Sequence, residues 1–169
     1  MSEKRISRTH QLVLMALLAA TQIVLSRFFS INLWNLRIGF AFVPIALAGM
    51  LLGPMGAGLT GAVADIIGAT LFPSGTFFPG FTVTAFVTAF GYGFFLQKKQ
   101  SMGNILAAVP FSEIVGTILM NTLWISILYG TPFIAVMIPR IAQAVGMGIV
   151  EVLVIRLLAN YVPQLKKAV

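Results

Sequence analysis

The chain has 169 residues, of which 59% are hydrophobic and 9% are charged, and its mean hydropathy is +0.99. Since a soluble domain carries about 25% charged residues, this composition excludes a fold surrounded by water. The chain has no cysteine and one histidine, which excludes disulfide frameworks and any metal site built on thiolates or several imidazoles, and the net charge of +7 is too dispersed for a nucleic-acid surface.

The apolar segments predict six transmembrane helices. A bilayer core is crossed by about 20 helical residues, so this length accommodates roughly six crossings joined by short loops. Gly53 and Pro54 separate the second helix from the third and predict a helical hairpin. We therefore expect an all-α integral membrane protein, a single domain over 1–169, whose helices run over Leu12–Phe29, Gly39–Leu52, Met55–Leu71, Thr82–Leu96, Asn104–Tyr129 and Phe133–Asn160.

The distribution of basic residues predicts the orientation of these helices. Positive charge concentrates on the cytoplasmic side of a membrane protein. With both ends inside, the inner segments hold seven basic residues and the outer loops hold two, Arg27 and Arg37. Both termini are therefore predicted to be cytoplasmic. The inner seven are Lys4, Arg5, Arg8, Lys98, Lys99, Lys166 and Lys167.

Ionisable side chains lie at membrane depth, where each one costs several kcal/mol unless it is paired or faces water. Asp65 is in the third helix, Glu113 in the fifth, and Arg140 and Glu151 in the sixth. Internal pairing that sets the helix register is one interpretation, and a proton relay is another. The four acidic residues of the chain are too scattered to predict a hydrolytic pair.

The outer loop Phe72–Phe81 combines two prolines and two glycines with four phenylalanines. Proline and glycine interrupt a helix here, while the aromatic rings indicate either an interfacial belt or a lid that stacks on a planar ligand. The segment is not a phosphate-binding loop, because Phe81 stands where the lysine is needed. The chain is therefore not expected to bind ATP or any cofactor. The predicted lid residues are Phe72, Pro73, Gly75, Pro79 and Gly80.

Two further features leave alternatives open. Arg37, close to Trp34, is predicted to be on the outer side, where it would contact either lipid headgroups or an anionic or heterocyclic ligand. Ala16 and Ala20 lie one helical turn apart and would allow another helix to approach closely, either within the bundle or from a partner.

The outer loop with the start of the following helix, FPSGTFFPGFTVTA (Phe72–Ala85), resembles the folate-specific substrate-binding (S) components of energy-coupling factor (ECF) transporters. The segment NLRIGFAFVPIALAGMLLGPMGAGLTGAVADIIG (Asn35–Gly68) resembles the second and third helices of that family. The alanine pair Ala16 and Ala20 matches its first-helix motif. The resemblance extends over the whole chain and is most specific in Arg37–Pro44 and Phe72–Ala85.

This resemblance implies a multi-pass protein of the prokaryotic plasma membrane that captures a folate outside the cell. It implies association with a transmembrane coupling (T) component and two cytoplasmic ATPases, with Ala16 and Ala20 on the docking face. This chain itself would be no enzyme. The residues expected to bind the ligand are Arg37, Trp34, Phe77, Phe78 and Phe81, with Thr84, Asn121 and Arg140 added from their polarity and depth.

Other functions remain open at this point. The same architecture binds other vitamins, such as thiamine or a queuosine precursor, and pocket aromatics separate these ligands poorly. A stand-alone transporter driven by an ion or proton gradient would need no ATPase and would depend on Asp65 or Glu113. A membrane enzyme is disfavoured, because no cluster of His, Asp and Glu is predicted at one membrane boundary.

Overall fold

A computed structural model describes residues 8–32, 36–73 and 75–168. The side chains of Asn32, Arg37 and 166–168 are outside that description. Within it, the helices are α1 (Arg8–Arg27), α2 (Phe42–Leu71), α3 (Pro79–Leu96), α4 (Met102–Phe111), α5 (Asn121–Tyr129) and α6 (Phe133–Ala168). A π-helical segment, Ser112–Met120, joins α4 to α5, and strands β1 (Ser30–Asn32) and β2 (Arg37–Gly39) pair antiparallel.

The described residues include five helical stretches that are long and apolar enough to cross a membrane, namely Arg8–Arg27, Phe42–Leu71, Pro79–Leu96, Met102–Tyr129 and Phe133–Leu165. Their surface is apolar and their interior is partly polar. Phe94 is 65% exposed, whereas Glu151 is 5% exposed. This distribution is typical of helices whose outer faces contact lipid. The prediction of a helical bundle able to cross a membrane is therefore confirmed.

Helix α2 is interrupted at Gly53, where φ is 77° and ψ is −172°. Only glycine adopts such a backbone at little cost, and the following Pro54 has no amide hydrogen to donate. Ala48 and Ala57, on opposite sides of this break, belong to one buried cluster with Ala89. The predicted interruption at Gly53 and Pro54 is therefore present in the backbone.

Close backbone approaches fix α3 against both parts of α2. A Cβ on Gly49 would lie 2.7 Å from the nitrogen of Gly93, and a Cβ on Gly93 would lie 2.5 Å from Cα of Pro54. The buried core continues from this contact through Tyr92, Leu96 and Ile105 to Ile155. The glycines thus bring α3 into the centre of the bundle, where its opposite face can border a cavity.

Several boundaries differ from the predicted ones. Gly39 belongs to β2 and not to a helix, because β1 and β2 form a hairpin of three-residue strands between α1 and α2. Helix α3 begins at Pro79, three residues earlier than predicted, because a proline is well tolerated in the first helical turn. Helix α6 continues to Ala168, past Pro163, because backbone hydrogen bonding does not stop where the apolar run ends.

The Met102–Tyr129 stretch contains a widened turn that the sequence did not indicate. Pro110 lacks the amide hydrogen that would complete the α-helical pattern, and the π-helical segment begins two residues later. π-Helical turns are rare and frequently occur at functional sites. This one carries Glu113, Gly116 and Thr117 to the cavity described below.

Candidate functional site

A cavity of about 370 Å³ lies between the helices. It extends from Glu113 in the π-helical segment to Tyr129 at the end of α5, roughly 20 Å along one helical stretch. We call the part beside Arg27, Thr76 and Phe77 the loop end and the part beside Glu113 and Glu151 the far end. Its lining also includes Gln22, Ser26, Leu36, Ala41, Ile45, Ala64, Asp65, Phe81, Thr84, Thr88, Asn121 and Arg140.

The far end is built from polar side chains on α3, the π-helical segment and α6. The hydroxyl of Tyr92 donates to Oε2 of Glu151 at 2.6 Å, and Nη1 of Arg140 donates to the carbonyl of Thr117 at 3.0 Å. Glu113 is 9% exposed and lines the same space. These side chains are held by helices that pack in the core, so their positions are set before any ligand enters.

Several polar atoms that line the cavity are buried and lack a hydrogen-bond partner among the described residues. They are Oε1 of Gln22, Oε2 of Glu113, Oδ1 of Asn121 and Nε of Arg140. A buried polar group without a partner costs about 1–3 kcal/mol, and more if it is charged. A ligand that offers both donors and acceptors would satisfy them, so the cavity is suited to a polar ligand.

The charged groups of the cavity are of both signs. Arg27 and Arg140 are basic, whereas Asp65, Glu113 and Glu151 are acidic. The guanidinium of Arg27 lies over Gly68, where a Cβ would come 3.0 Å from Nε. The carboxylate of Asp65 accepts a hydrogen bond of 2.8 Å from the hydroxyl of Thr82. Asp65 therefore links α2 to α3.

Aromatic rings border the loop end. Phe77 and Phe81 line the cavity, and so do Gly75 and Thr76. The ring of Phe78 is turned to Trp124, at 5.6 Å between centroids, and the ring of Phe72 packs edge-on against Phe28 at 5.3 Å. Two aromatic rings of the loop therefore line the cavity, and the other two pack against Phe28, just after α1, and against Trp124 of α5.

The predicted ligand residues are partly brought together. Phe77, Phe81, Thr84, Asn121 and Arg140 line the cavity, and so does Gly75 of the predicted lid. Phe78 and the remaining lid residues Phe72, Pro73, Pro79 and Gly80 do not line it. Trp34 lies outside the described residues, as does the side chain of Arg37. Ala16 and Ala20 are exposed on α1, whereas Leu18 and Ala19 of the same helix are buried.

Sequence reasoning missed Gln22, Arg27 and Trp124. Gln22 is a buried amide inside an apolar helix, which is a signal that could have been followed. The sequence indicates Arg27 only as a basic residue of an outer loop and gives no sign that it lines a cavity. Trp124, which donates from Nε1 to Thr84 at 3.0 Å, had no local signal because an indole in a membrane helix is usual. Among the described residues, no group of three or more His, Cys, Asp or Glu side chains could hold a metal ion.

Comparison with known proteins agrees with this geometry. The model of the family "ECF transporter, substrate-specific component" matches residues 10–159. A folate transporter FolT from Clostridium novyi is 39% identical over 149 residues, which are 88% of this chain and 87% of that protein. A folate transporter FolT from Leuconostoc mesenteroides is 34% identical over 151 residues, 85% of this chain and 81% of that protein. The crystal structure of FolT bound with folic acid superposes with a TM-score of 0.84 at 36% identity, covering 90% of this chain and 92% of that one.

Proposed function

This chain belongs to the substrate-specific components of ECF transporters, and we propose that it is the folate-binding subunit of a vitamin uptake transporter. The observation that carries the proposal is the cavity itself. It is enclosed by apolar helices, yet it contains buried polar atoms without partners, and the chain shares its fold and 36% of its sequence with a FolT crystallised with folic acid.

The far end suits the pterin of a folate. A pterin presents N–H donors on its 2-amino and N3 edge beside a carbonyl acceptor. Glu113, with an unpartnered carboxylate oxygen, is proposed to accept from the N–H edge, and the guanidinium of Arg140 is proposed to donate to the ring system. Hydrogen bonds to charged groups are shorter and stronger than neutral ones, which makes them effective in selecting one heterocycle.

The loop end suits the remaining part of the ligand. We propose that Phe77 and Phe81 stack on the flat aromatic part, since offset stacking between planar rings is favourable. The glutamyl tail carries carboxylates, which match a guanidinium in bidentate geometry. Arg27 is positioned at the loop end for this contact. Arg37, and Trp34 near it in the sequence, are retained as proposed ligand residues on the basis of the sequence alone.

We further propose that the chain crosses the prokaryotic plasma membrane six times with both termini in the cytoplasm. The non-helical backbone at Gly53 supports a reversal of direction within α2. Two contacts also support this arrangement. Gly68, near the end of α2, lies against Arg27 at the end of α1, and Gly53, at the interruption of α2, lies against Gln97 just after the end of α3. The excess of basic residues in the predicted inner segments supports the orientation.

The energy for uptake is proposed to come from other chains. We propose that the chain associates with a transmembrane T component and two cytoplasmic ATPases, as membership of the substrate-specific components of ECF transporters implies. Ala16 and Ala20 are proposed to lie at the docking surface, because both are exposed on α1 and small residues let a second helix approach closely. The outward face of α1 would then be covered by the T component instead of lipid.

Calorimetric titration of the purified protein tests the ligand. We expect saturable binding of folic acid without ATP or partner proteins, and no binding of thiamine at the same concentration. Binding of thiamine but not folic acid would contradict the substrate, and binding of neither would contradict the proposal of a folate-capturing subunit. Uptake that persists when the partner ATPases are inactivated would instead favour a gradient-driven transporter.

A further inference from the structure

Trp124 of α5 connects the loop end of the cavity to the neighbouring helix. Its Nε1 donates a hydrogen bond of 3.0 Å to Oγ1 of Thr84, and the hydroxyl of Thr84 in turn donates to the carbonyl of Gly80 at 3.1 Å. The indole also packs on the ring of Phe78, with 5.6 Å between centroids. A single side chain thus contacts both the end of the loop and the first turns of α3.

Because Gly80 has no side chain, the indole of Trp124 can pack directly against its backbone. A Cβ on Gly80 would lie 2.5 Å from Cδ2 of Trp124 and 2.6 Å from Cε1 of Phe78. Contacts this short do not occur between real atoms, so any side chain at position 80 would displace Trp124 or Phe78. The close fit shows that the indole, Phe78 and the backbone of Gly80 form one packed unit.

This unit lies at the start of α3, which has no side-chain cap. Helix α3 begins at Pro79 after Phe78, and the side chain of Phe78 makes no capping hydrogen bond. The start of a helix usually depends on such a cap to satisfy its first amide groups. Here Pro79 stands in the first helical turn, and Gly80 and Phe78 pack against Trp124. We therefore expect removal of the indole to loosen the segment from Gly75 to Gly80.

The cavity depends on that segment. Phe77 and Phe81 line the cavity on either side of Phe78, whose ring is turned to Trp124 and packs edge-on against Phe81 at 6.2 Å. We infer that Trp124 is a positioning residue that holds Phe78 and Gly80, and thereby fixes Phe77 and Phe81 over the loop end and slows release of the bound ligand. This inference rests on the proposed function only for the identity of the ligand.

A ligand-free measurement tests the anchoring. In the purified chain, Trp124→Ala should raise amide hydrogen exchange in Gly75–Thr82 by about tenfold, because a segment with fewer packing contacts opens more often. Trp124→Phe, which keeps a ring but loses the hydrogen bond, should give a smaller rise. Thr70→Val is the control, since the hydroxyl of Thr70 is exposed and bonded only within α2. Unchanged exchange in a folded Trp124→Ala protein would overturn the inference.

Stopped-flow kinetics with folic acid test the consequence for release. The dissociation rate should rise about fivefold in Trp124→Phe and at least tenfold in Trp124→Ala, with the association rate nearly unchanged, because one hydrogen bond and one aromatic contact are lost. Thr84→Val combined with Trp124→Phe should raise the dissociation rate by less than the product of the two single effects, since both variants lose the bond between Trp124 and Thr84. A purely structural role would instead lower thermal stability and leave the dissociation rate unchanged, which would overturn the inference.

The two measurements separate this inference from the proposed function. If wild-type protein does not bind folic acid, the proposed ligand is wrong and hydrogen exchange alone decides whether Trp124 anchors the segment. If folic acid binds and exchange rises but the dissociation rate does not, the segment is anchored without controlling release, and the inference is overturned.

Discussion

The two ends of the cavity differ in how their side chains are held. At the far end, Glu113, Arg140 and Glu151 project from helices that pack in the core, and each is at most 9% exposed. At the loop end, Phe77 is 46% exposed on a segment interrupted by glycine and proline. Rigid polar groups are suited to selecting one heterocycle, whereas a partly exposed aromatic segment is suited to admitting the ligand and retaining it.

This difference predicts separate effects on affinity and on rate. Loss of a far-end contact removes a buried charge-assisted hydrogen bond and should lower affinity strongly. Loosening of the loop end should change mainly how fast the ligand leaves, as inferred for Trp124. Variants at the far end are therefore tested by affinity, and variants that loosen the loop end are tested by the dissociation rate.

The largest effect is expected for Glu113→Gln. Replacement of the carboxylate by an amide should weaken folic acid binding roughly ten- to a hundredfold, since a hydrogen bond to a charged group contributes about 1.5–3 kcal/mol. Calorimetry measures this change. A folic acid analogue that lacks the 2-amino group should bind the wild-type protein weakly. Its affinity should fall little further in the Glu113→Gln variant. Equal losses for both ligands would exclude a contact between Glu113 and the amino edge.

Arg37→Ala is expected to weaken folic acid binding at least tenfold, which corresponds to about 1.4 kcal/mol or more. The reason is the bidentate match between a guanidinium and either a carboxylate or a heterocycle edge. Titration with pteroic acid, which lacks the glutamyl tail, assigns the contact. A loss with both ligands would place Arg37 on the pterin, a loss with folic acid alone would place it on the tail, and unchanged affinity would remove it from the site.

Arg27→Ala should have a smaller effect, about fivefold with folic acid, because this side chain is only partly buried and a charge contact near solvent is screened. Pteroic acid should bind the variant as tightly as it binds wild-type protein, because the missing contact is to the tail. A matching loss with pteroic acid would show that Arg27 acts through Asp65 or the cavity shape and not through the ligand's carboxylates.

The smallest effect on affinity is expected at the exposed face of α1. Replacing both Ala16 and Ala20 by leucine should leave folic acid binding unchanged, because neither residue lines the cavity. Transport and co-purification with the ATPase module should be lost, because bulky side chains prevent close helix contact. Ala142→Leu, at an exposed alanine of α6, is the control. Retained co-purification in the double variant would contradict the docking assignment.

Local pattern was sufficient for much of the fold. The bounds predicted from the apolar runs agree with the helical stretches to within a few residues, with three differences. Gly39 belongs to β2, the predicted second and third helices form one stretch interrupted at Gly53, and α6 continues to Ala168. The hairpin of β1 and β2 escaped notice because three-residue strands are too short for an alternating pattern to stand out. The resemblance to ECF substrate-specific components is confirmed, because it was carried by contiguous segments such as Phe72–Ala85.

The site was only partly predictable. Polar residues inside apolar helices, such as Asn121 and Arg140, are predicted to be functional because a polar group in a membrane carries a high free-energy cost. Both residues do line the cavity. The direction of a side chain in the loop was not predictable in the same way, since Phe77 and Phe81 line the cavity while Phe78 packs on Trp124. The π-helical segment also changes which residues share a face, so Glu113 and Thr117 could not be assigned from a regular helical repeat.

The sequence by itself determined that this is a membrane protein of about 170 residues with helices broken at Gly53–Pro54 and at an aromatic loop, because hydropathy and backbone restrictions are local properties. The tertiary structure alone decided that Gln22, Asp65, Glu113, Arg140 and Glu151 border a single cavity, and that Trp124 contacts Thr84 and Phe78 beside its aromatic end. These are contacts between residues far apart in the chain, and they depend on the close approach of α2 and α3 at Gly49 and Gly93, which no local pattern reveals.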